Sequence, residues 1–308
     1  MQNVRRILEM IRFSHTLFAL PFALFSAALA WHKKYLASSD AGAASGAGSF
    51  WIEFAGILLC MVFARSAAMA FNRLADRRLD AANPRTAMRH LPAGTLSIGV
   101  VWLFTIACAA GFVASTFLFY LAEPANPWPS YLAVPVLLFI GAYSYTKRFT
   151  ALAHFWLGAA LLLAPVAAWI AILGLDRLQI PGTLGLAVFF WVAGFDIIYA
   201  CQDAAFDRET KLYSIPAKIG VGPALRVALV CHLLMLGLLI ALYFLANPPL
   251  GVIYLIGIVA VAALLIYEHA LVKPTDLTRV NAAFFQVNAV ISIGLFLVAL
   301  VEVWRSRP

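Results

Sequence analysis

Nine apolar stretches, each long enough to cross a lipid bilayer, constrain the fold of this 308-residue chain more than any other feature. A helix spans the hydrocarbon core with roughly 17 to 25 apolar residues. Hydrophobic residues make up 64% of the chain, against about half in soluble domains. The sequence therefore predicts an all-α, polytopic membrane protein with nine transmembrane helices. The predicted spans are residues 13–31, 51–71, 96–121, 130–146, 150–173, 183–201, 224–246, 250–272 and 281–304.

The distribution of lysine and arginine predicts the orientation, because these residues accumulate in cytoplasmic loops. A cytoplasmic N-terminus puts sixteen of the 22 basic residues inside and five outside, with Arg65 within the second span. Arg85 and Arg89 are assigned to a solvated loop that obeys this rule. We predict a multi-pass protein of the cell inner (plasma) membrane. The net charge of +8 then reflects topology and contact with anionic lipid headgroups, and no nucleic-acid partner is expected.

The connections between spans, the cysteines and the histidines indicate no further domain and no separate cofactor site. The connections between spans are too short to hold a soluble domain, so residues 1–308 are predicted to form a single transmembrane domain. The four cysteines lie in or beside apolar spans without CxxC spacing, which is typical of small buried hydrophobes. The six histidines lack the paired spacing of a metal site, and we assign them no chemistry.

A charged segment, FNRLADRRLDAANPRTAMRH, follows the second span. Its Asn72, Asp76 and Asp80 are spaced by four residues, which places them on one face of a helix. Arg65 lies seven residues before Asn72 and joins that face. Two carboxylates at this spacing repel each other, which is unfavourable unless a cation lies between them. The segment therefore predicts a cation site at the cytoplasmic end of the second span.

A second acidic segment, FDIIYACQDAAFDRETKLYSIPAKIG, ends the sixth span on the same predicted side. Asp203 and Asp207 repeat the four-residue spacing, and Asp196 extends their face into the apolar span, where an ionisable side chain is a functional candidate. We expect the two acidic helix ends to face each other across one cavity. Basic residues flank them at Lys147, Arg148, Arg208 and Lys211.

These side chains predict a ligand as well as a metal. Oxygen ligands at this density suit Mg²⁺, which is typically held by a few carboxylates together with substrate phosphates. The neighbouring lysines and arginines would bind the same phosphates. A site at the membrane surface beneath an apolar bundle fits a diphosphate with a long hydrocarbon tail, and a prenyl diphosphate is the simplest such ligand.

At these residues the sequence resembles the UbiA superfamily of intramembrane aromatic prenyltransferases. That family has nine transmembrane helices and two aspartate-rich motifs, usually NDxxDxxxD and DxxxD. The corresponding segments here are NRLADRRLD and DAAFD, and the segments PRTAMRHLPAG, YSYTKRFT and SIPAKIG are also similar. One position differs, because Arg73 stands where the first motif commonly has aspartate. Either Arg73 contacts phosphate itself, or the first metal ion has one ligand fewer.

The resemblance implies a role for each candidate residue. Two Mg²⁺ ions bridging the diphosphate would be held by Asn72, Asp76, Asp80, Asp203 and Asp207, and Asp76 and Asp203 would act in catalysis through them. Diphosphate oxygens would be bound by Arg73, Lys147, Arg148 and Lys211. An aromatic-lined cavity would protect the allylic cation, with Tyr143 and Tyr199 among its members. Asp196 is the candidate base that removes the ring proton or orients the phenol, and Arg12 or Arg65 would bind an acceptor carboxylate.

The acceptor remains open between two aromatic acids. The opening segment, MIRFSHTLFALPFALFSAALAW, is similar to a subgroup described as 4-hydroxybenzoate polyprenyltransferases, which favours a benzoate and ubiquinone synthesis. Some members of that subgroup are associated with 1,4-dihydroxy-6-naphthoate in menaquinone synthesis by the futalosine route. A distant alternative is a cation-coupled secondary transporter, but such a protein would place its ionisable groups near the bilayer midplane.

Overall fold

The computed structural model describes residues 2–11, 18–40, 47–246 and 249–306. Regular structure within these ranges is entirely helical, apart from one isolated β-bridge between Lys273 and Asp276. The prediction of an all-α protein is confirmed. The helices are α1 (Gln2–Met10), α2 (Leu20–Asp40), α3 (Ala47–Ala82), α4 (Ile98–Thr116), α5 (Trp128–Thr146), α6 (Ala153–Leu173), α7 (Gln179–Ala200), α8 (Ala204–Glu209), α9 (Ile215–Ile219), α10 (Val221–Leu245), α11 (Val252–Leu271), α12 (Val280–Ala282) and α13 (Asn288–Arg305).

Within the described ranges, three short turns of other helix types adjoin these elements. Turns of 3-10 helix follow α4 at Phe117–Leu121 and α7 at Cys201–Asp203. A π-helical turn at Ala283–Val287 precedes α13. The turn after α7 is the one that matters for the candidate site, because it carries an acidic residue.

A long helix overlaps each of the nine predicted spans in the described part of the chain. The first differs most from its prediction of 13–31, since α2 begins at Leu20 and continues to Asp40, and residues 13–17 lie outside the described residues. Seven of these helical segments are long and apolar enough to cross a membrane. The other two, α2 and α5, are 21 and 19 residues long and carry more polar residues. The protein is therefore a polytopic membrane protein, whereas the count of nine spans and the side of the N-terminus stay predictions. Three of the four cysteines, Cys108, Cys201 and Cys231, are buried as predicted, whereas Cys60 is only partly buried.

The helices pack into two compact units. The first contains α1 and α3–α5, and the second contains α2 and α6–α13. The single domain predicted for residues 1–308 stays a prediction.

In the first unit, α3 is the longest helix, with 36 residues. At about 1.5 Å per residue it exceeds the roughly 30 Å of a bilayer core, so one end extends beyond the hydrocarbon region. Phe63 of α3 packs against Gly111 of α4, where a Cβ atom would lie 2.9 Å from the ring. Apolar side chains of α1, including Met10, pack against Leu74 of α3.

In the second unit, α7 is the most deeply buried long helix and packs mainly against α6 and α10. Helix α2 packs against α6 and α13. The fully buried Trp191 of α7 contacts the rings of Phe18 and Phe22. This buried helix carries Asp196 and leads directly into the second acidic motif.

Candidate active site

The first acidic motif lies on the C-terminal part of α3, which is a continuous helix through this region. Asn72 Nδ2 donates a hydrogen bond to Asp76 Oδ2 at 3.0 Å, as the four-residue spacing predicts. The same amide lies 3.4 Å from Ser144 Oγ on α5. The structure thus brings Asn72 and Asp76 together and anchors them to a neighbouring helix.

Asp80 is buried at the end of this motif and has a partner that the sequence did not predict. Arg89 Nη1 donates a hydrogen bond to Asp80 Oδ1 at 2.6 Å. The chain after α3 folds back to make this contact, since Thr86 Oγ1 donates to the Asp80 carbonyl at 3.0 Å and the Arg85 amide donates to Asn83 Oδ1 at 2.9 Å. Arg89 therefore lies in a loop, as assigned, but the prediction that its side chain is merely solvated is wrong, because it pairs with Asp80. An arginine nine residues after an aspartate carries no periodic signal that would have indicated the contact.

Two of the arginines predicted to bind substrate, Arg73 and Arg65, lie on α3 and differ in burial. Arg73 is buried, although it is a charged residue within the C-terminal part of α3. Arg65 is partly buried, and its Nε atom has no hydrogen-bond partner among the described residues. Arg12, the alternative carboxylate ligand, lies outside the described residues.

The second acidic motif does not lie on one helix. Helix α7 ends at Ala200, Asp203 belongs to the following 3-10 turn, and Asp207 belongs to the separate helix α8. The assumption of a continuous helical face from Asp196 to Asp207 is wrong, because the backbone tightens after Ala200. Asp203 and Asp207 are nevertheless both buried.

Three of the basic residues near the second motif, Lys147, Arg148 and Lys211, lie in turns between helices, whereas Arg208 lies in α8. The Tyr213 amide donates to the Lys147 carbonyl at 2.7 Å, which ties the segment after α8 to the start of the α5–α6 connection. Lys147 is partly buried, whereas Arg148 and Lys211 are exposed. Lys211 has a positive φ of 57°, so it marks a sharp turn after α8. Arg208 Nε donates to the Ala217 carbonyl at 3.4 Å.

Asp196 forms a short polar contact with a histidine in the second unit. Its Oδ2 lies 2.7 Å from Nδ1 of His154 on α6, and the imidazole is fully buried. The other imidazole nitrogen, Nε2, accepts a hydrogen bond from the Ile215 amide at 3.4 Å. Our assignment of no chemistry to the histidines missed this pair. The two residues are 42 positions apart on different helices, so no spacing in the sequence connects them.

The two predicted aromatic residues lie in different units. Tyr199 follows Asp196 on α7, and its ring packs 4.4 Å from that of Phe284 in the π-helical turn. Phe284 also contacts Phe195 at 5.3 Å between ring centroids. Tyr143 belongs to α5 and is partly buried. Tyr199, Phe284 and Phe195 therefore form one group of packed aromatic rings, of which Tyr199 and Phe195 lie close to Asp196 in the sequence of α7.

The described residues form no cluster of three or more His, Cys, Asp or Glu side chains of the kind that holds a metal ion by itself. Each acidic motif, however, contains a buried carboxylate oxygen without a hydrogen-bond partner in the described part of the chain, Oδ2 of Asp80 and Oδ2 of Asp207. An unsatisfied buried carboxylate oxygen costs free energy, and a hard cation that prefers oxygen ligands would remove that cost. The donor sets of both motifs therefore fit a magnesium ion.

Comparison with known proteins identifies the family. The sequence profile of the UbiA prenyltransferase family matches residues 34–290, which is most of the chain and includes both acidic motifs. The chain belongs to the UbiA prenyltransferase family. The resemblance inferred from the sequence motifs is confirmed, and the protein is a prenyltransferase.

Relatives and solved structures agree with this membership in the UbiA family. A 4-hydroxybenzoate octaprenyltransferase of Nitrosospira multiformis is 32% identical over 248 residues, covering 80% of this chain and 82% of the relative. The apo structure of a UbiA homolog from Aeropyrum pernix K1 superposes with a TM-score of 0.78 at 30% identity, covering 94% and 98% of the two chains. A UbiA homolog from Archaeoglobus fulgidus bound to GPP and Mg²⁺ has a TM-score of 0.66 at 20% identity, covering 96% and 99%, and shares the fold.

Proposed function

We propose that this UbiA prenyltransferase transfers a polyprenyl group from polyprenyl diphosphate to the ring of a 4-hydroxybenzoate-type aromatic acid, with Mg²⁺, in respiratory quinone biosynthesis. The similar protein from Nitrosospira multiformis carries the name 4-hydroxybenzoate octaprenyltransferase. The Archaeoglobus fulgidus homolog of the same fold binds GPP and Mg²⁺. The membrane-spanning helices provide the apolar surroundings that a polyprenyl tail requires.

The observation that carries the proposal is the pair of buried carboxylates, Asp80 and Asp207, each with one oxygen that no described residue satisfies. Carboxylates in such surroundings favour a bound cation over water. We assign the metal ligands to Asn72, Asp76, Asp80, Asp203 and Asp207. When bound, Mg²⁺ neutralises the charge that develops on the departing diphosphate.

The basic side chains would bind oxygens of the diphosphate. Arg73 takes this role on α3, and Lys147, Arg148 and Lys211 take it around the second motif. Their charge stabilises the diphosphate as the carbon–oxygen bond to the allylic carbon breaks. The buried position of Arg73 supports a specific partner for it rather than bulk water.

The acceptor ring then attacks the allylic carbon, which forms a carbon–carbon bond and leaves one ring proton to be removed. Asp196 accepts this proton or orients the neighbouring phenol, since its side chain is 14% exposed and held at one oxygen by His154. Tyr199 and Tyr143 stabilise the allylic cation through their rings. Arg65 or Arg12 binds the acceptor carboxylate with a planar guanidinium, and the unpartnered Nε of Arg65 supports that choice.

We further propose that the site faces the cytoplasm of a cell whose inner membrane holds the protein. The excess of lysine and arginine on the predicted inner side supports this orientation. Reaction of a membrane-impermeant thiol reagent with a cysteine introduced at exposed Arg78, in inside-out but not right-side-out vesicles, would confirm it.

Prenyl transfer by the purified protein tests the function. The assay supplies Mg²⁺ and a polyprenyl diphosphate, and offers 4-hydroxybenzoate and 1,4-dihydroxy-6-naphthoate in parallel. We expect a prenylated benzoate that is absent with EDTA and in the Asp76→Ala and Asp203→Ala variants. Asp176→Ala is the matched control, because that side chain is exposed in the turn between α6 and α7.

The outcomes separate the acceptors. Product from the naphthoate alone would refute the benzoate and place the enzyme in menaquinone synthesis. Aspartate-dependent release of diphosphate without either product would retain the donor chemistry and refute both acceptors. Loss of activity in Asp176→Ala to the same extent as in Asp76→Ala would refute the assignment of the motifs.

A further inference from the structure

His154 lies at the junction of three elements of the second unit. It is the second residue of α6, its imidazole is fully buried, and its two ring nitrogens contact Asp196 of α7 and the backbone of Ile215 in α9. A buried imidazole needs a hydrogen-bond partner for each nitrogen. Both partners are present, so the ring has one defined orientation.

The contact with Ile215 determines which nitrogen of His154 carries the hydrogen. Because the Ile215 amide donates to Nε2, that nitrogen presents its lone pair. Nδ1 therefore carries the hydrogen and donates it to Asp196 Oδ2, 2.7 Å away. In this arrangement the imidazole is a directed donor to the carboxylate and does not compete with it as a base.

The Ile215 amide is itself fixed by the way α9 begins. Ser214 is the N-cap of this helix, and its hydroxyl accepts a hydrogen bond from the Ala217 amide at 3.3 Å. The amide of Ile215, in the first turn, has no partner within the helix, and His154 provides one. Tyr213, the residue before Ser214, donates its amide hydrogen to the Lys147 carbonyl. The ring of His154 is thus held in place from the α9 side.

We propose that His154 is a positioning residue for Asp196: its Nδ1–H fixes one carboxylate oxygen so that the other is presented to the acceptor ring. This inference rests on the proposed function, in which Asp196 handles the ring proton or the phenol. Only 14% of the Asp196 side chain is exposed, so a rotated carboxylate would lose its access to substrate. Holding a reacting group in one geometry lowers the entropy that the reaction must lose.

Two substitutions of His154 separate its two hydrogen bonds. In His154→Asn the side-chain amide nitrogen lies close to the position of Nδ1, so it retains the donor to Asp196 and loses the contact with Ile215. In His154→Gln the longer amide reaches the position of Nε2 and retains an acceptor for Ile215, but loses the donor to Asp196. The two variants each keep one buried contact, so they form a matched pair for stability.

We expect His154→Gln to lower kcat by about tenfold to a hundredfold, with little change in the KM values for prenyl diphosphate and acceptor. His154→Asn should retain the larger part of kcat, and both variants should unfold at similar temperatures. In an Asp196→Asn background the His154→Gln change should have no further effect on kcat, because coupled residues are not additive. Equal losses of kcat in the Asn and Gln variants, or additive losses with Asp196→Asn, would overturn the proposal.

A spectroscopic measurement tests the contact between His154 and Asp196 without any acceptor substrate. In protein labelled with ¹⁵N at histidine, the ring signals that disappear in His154→Gln belong to His154. We expect them to show hydrogen on Nδ1 and to shift in Asp196→Asn. Signals that stay unchanged in Asp196→Asn would refute the contact between His154 and Asp196. If the signals do shift but the wild-type protein prenylates neither acceptor, only the proposed function is refuted.

Discussion

Arg89 donates a 2.6 Å hydrogen bond to Asp80, so the first acidic motif has a cation supplied by its own chain. The contact engages Oδ1 of the carboxylate and leaves Oδ2 buried without a partner among the described residues. Two negative charges at a four-residue spacing, Asp76 and Asp80, are therefore partly compensated before any metal binds. The remaining oxygen is the one that a metal ion would use.

Arg89→Ala should destabilise the protein by about 1–2 kcal/mol, between the cost expected for exposed and for fully buried ion pairs. The side chains are 25% and 8% exposed for Arg89 and Asp80, which places the pair between those cases. Thermal unfolding in detergent measures the effect, and Arg78→Ala, an exposed arginine on α3, is the control. Saturating Mg²⁺ should reduce the difference, since it supplies a second cation at Asp80. An unfolding temperature equal to that of Arg78→Ala would contradict the role of the pair.

Arg65→Ala should raise the KM for the aromatic acceptor more than the KM for the prenyl diphosphate. The guanidinium is partly buried in α3, and its Nε has no partner within the described residues, which suits a carboxylate ligand. Steady-state kinetics with each substrate varied in turn measures both values. Arg65→Lys retains the charge but loses the planar guanidinium that can donate two hydrogen bonds to one carboxylate. It should therefore give an intermediate KM for the acceptor. A larger change in the KM for the diphosphate would refute the assignment.

The sequence predicted the features that depend on one continuous helix and missed those that depend on tertiary contacts. The four-residue spacing of Asn72 and Asp76 predicted their contact because α3 continues unbroken through both. The same spacing failed to predict the break after Ala200, since the residues there contain no proline or glycine to mark it. His154 and Asp196 meet only because α6 packs against α7, and no local pattern encodes that packing.

A buried network centred on Asn288 connects α7, α11 and the π-helical turn. Asn288 Oδ1 accepts a hydrogen bond from Trp191 Nε1 at 2.6 Å, and Nδ2 donates to Glu268 Oε1 at 2.9 Å. The same amide nitrogen lies 3.2 Å and 3.1 Å from the carbonyl oxygens of Ala283 and Phe284. One side chain thus stabilises the turn that holds Phe284 against Tyr199.

Asn288→Leu should lower the free energy of unfolding by about 3 kcal/mol or more, because it leaves several buried polar groups without partners at about 1–3 kcal/mol each. Leucine has the same number and branching of side-chain heavy atoms, so the change removes the polar atoms without opening a cavity. Thermal or denaturant unfolding in detergent measures the change. Gln286→Leu is the control, since Gln286 is exposed in the same π-helical turn. Similar unfolding of the two variants would show that the network contributes no net stability.

Gly158→Ala should both destabilise the protein and lower kcat, because it separates α6 from α7 next to the His154–Asp196 pair. A Cβ atom at Gly158 would collide with the backbone carbonyl oxygen of Phe189, which cannot move away by changing a rotamer. Close packing of membrane helices depends on such small residues, and inserting a methyl group into a tight contact costs about 1–3 kcal/mol. Gly158 lies one helical turn after His154, so a displacement of α6 there lengthens the 2.7 Å contact with Asp196.

Gly237→Ala is the matched control for this change. Gly237 lies within α10, and a Cβ atom there would have no neighbour within 4 Å, so alanine should leave kcat unchanged and raise stability slightly through its better helix propensity. The comparison needs the unfolding temperature and kcat of both variants in the same detergent. If α6 and α7 are held as tightly as the structure indicates, Gly158→Ala lowers both the unfolding temperature and kcat. Gly237→Ala then lowers neither quantity. A Gly158→Ala protein with unaltered unfolding and kcat would mean that the two helices can separate without disturbing Asp196, and the positioning role of His154 would then have no structural basis.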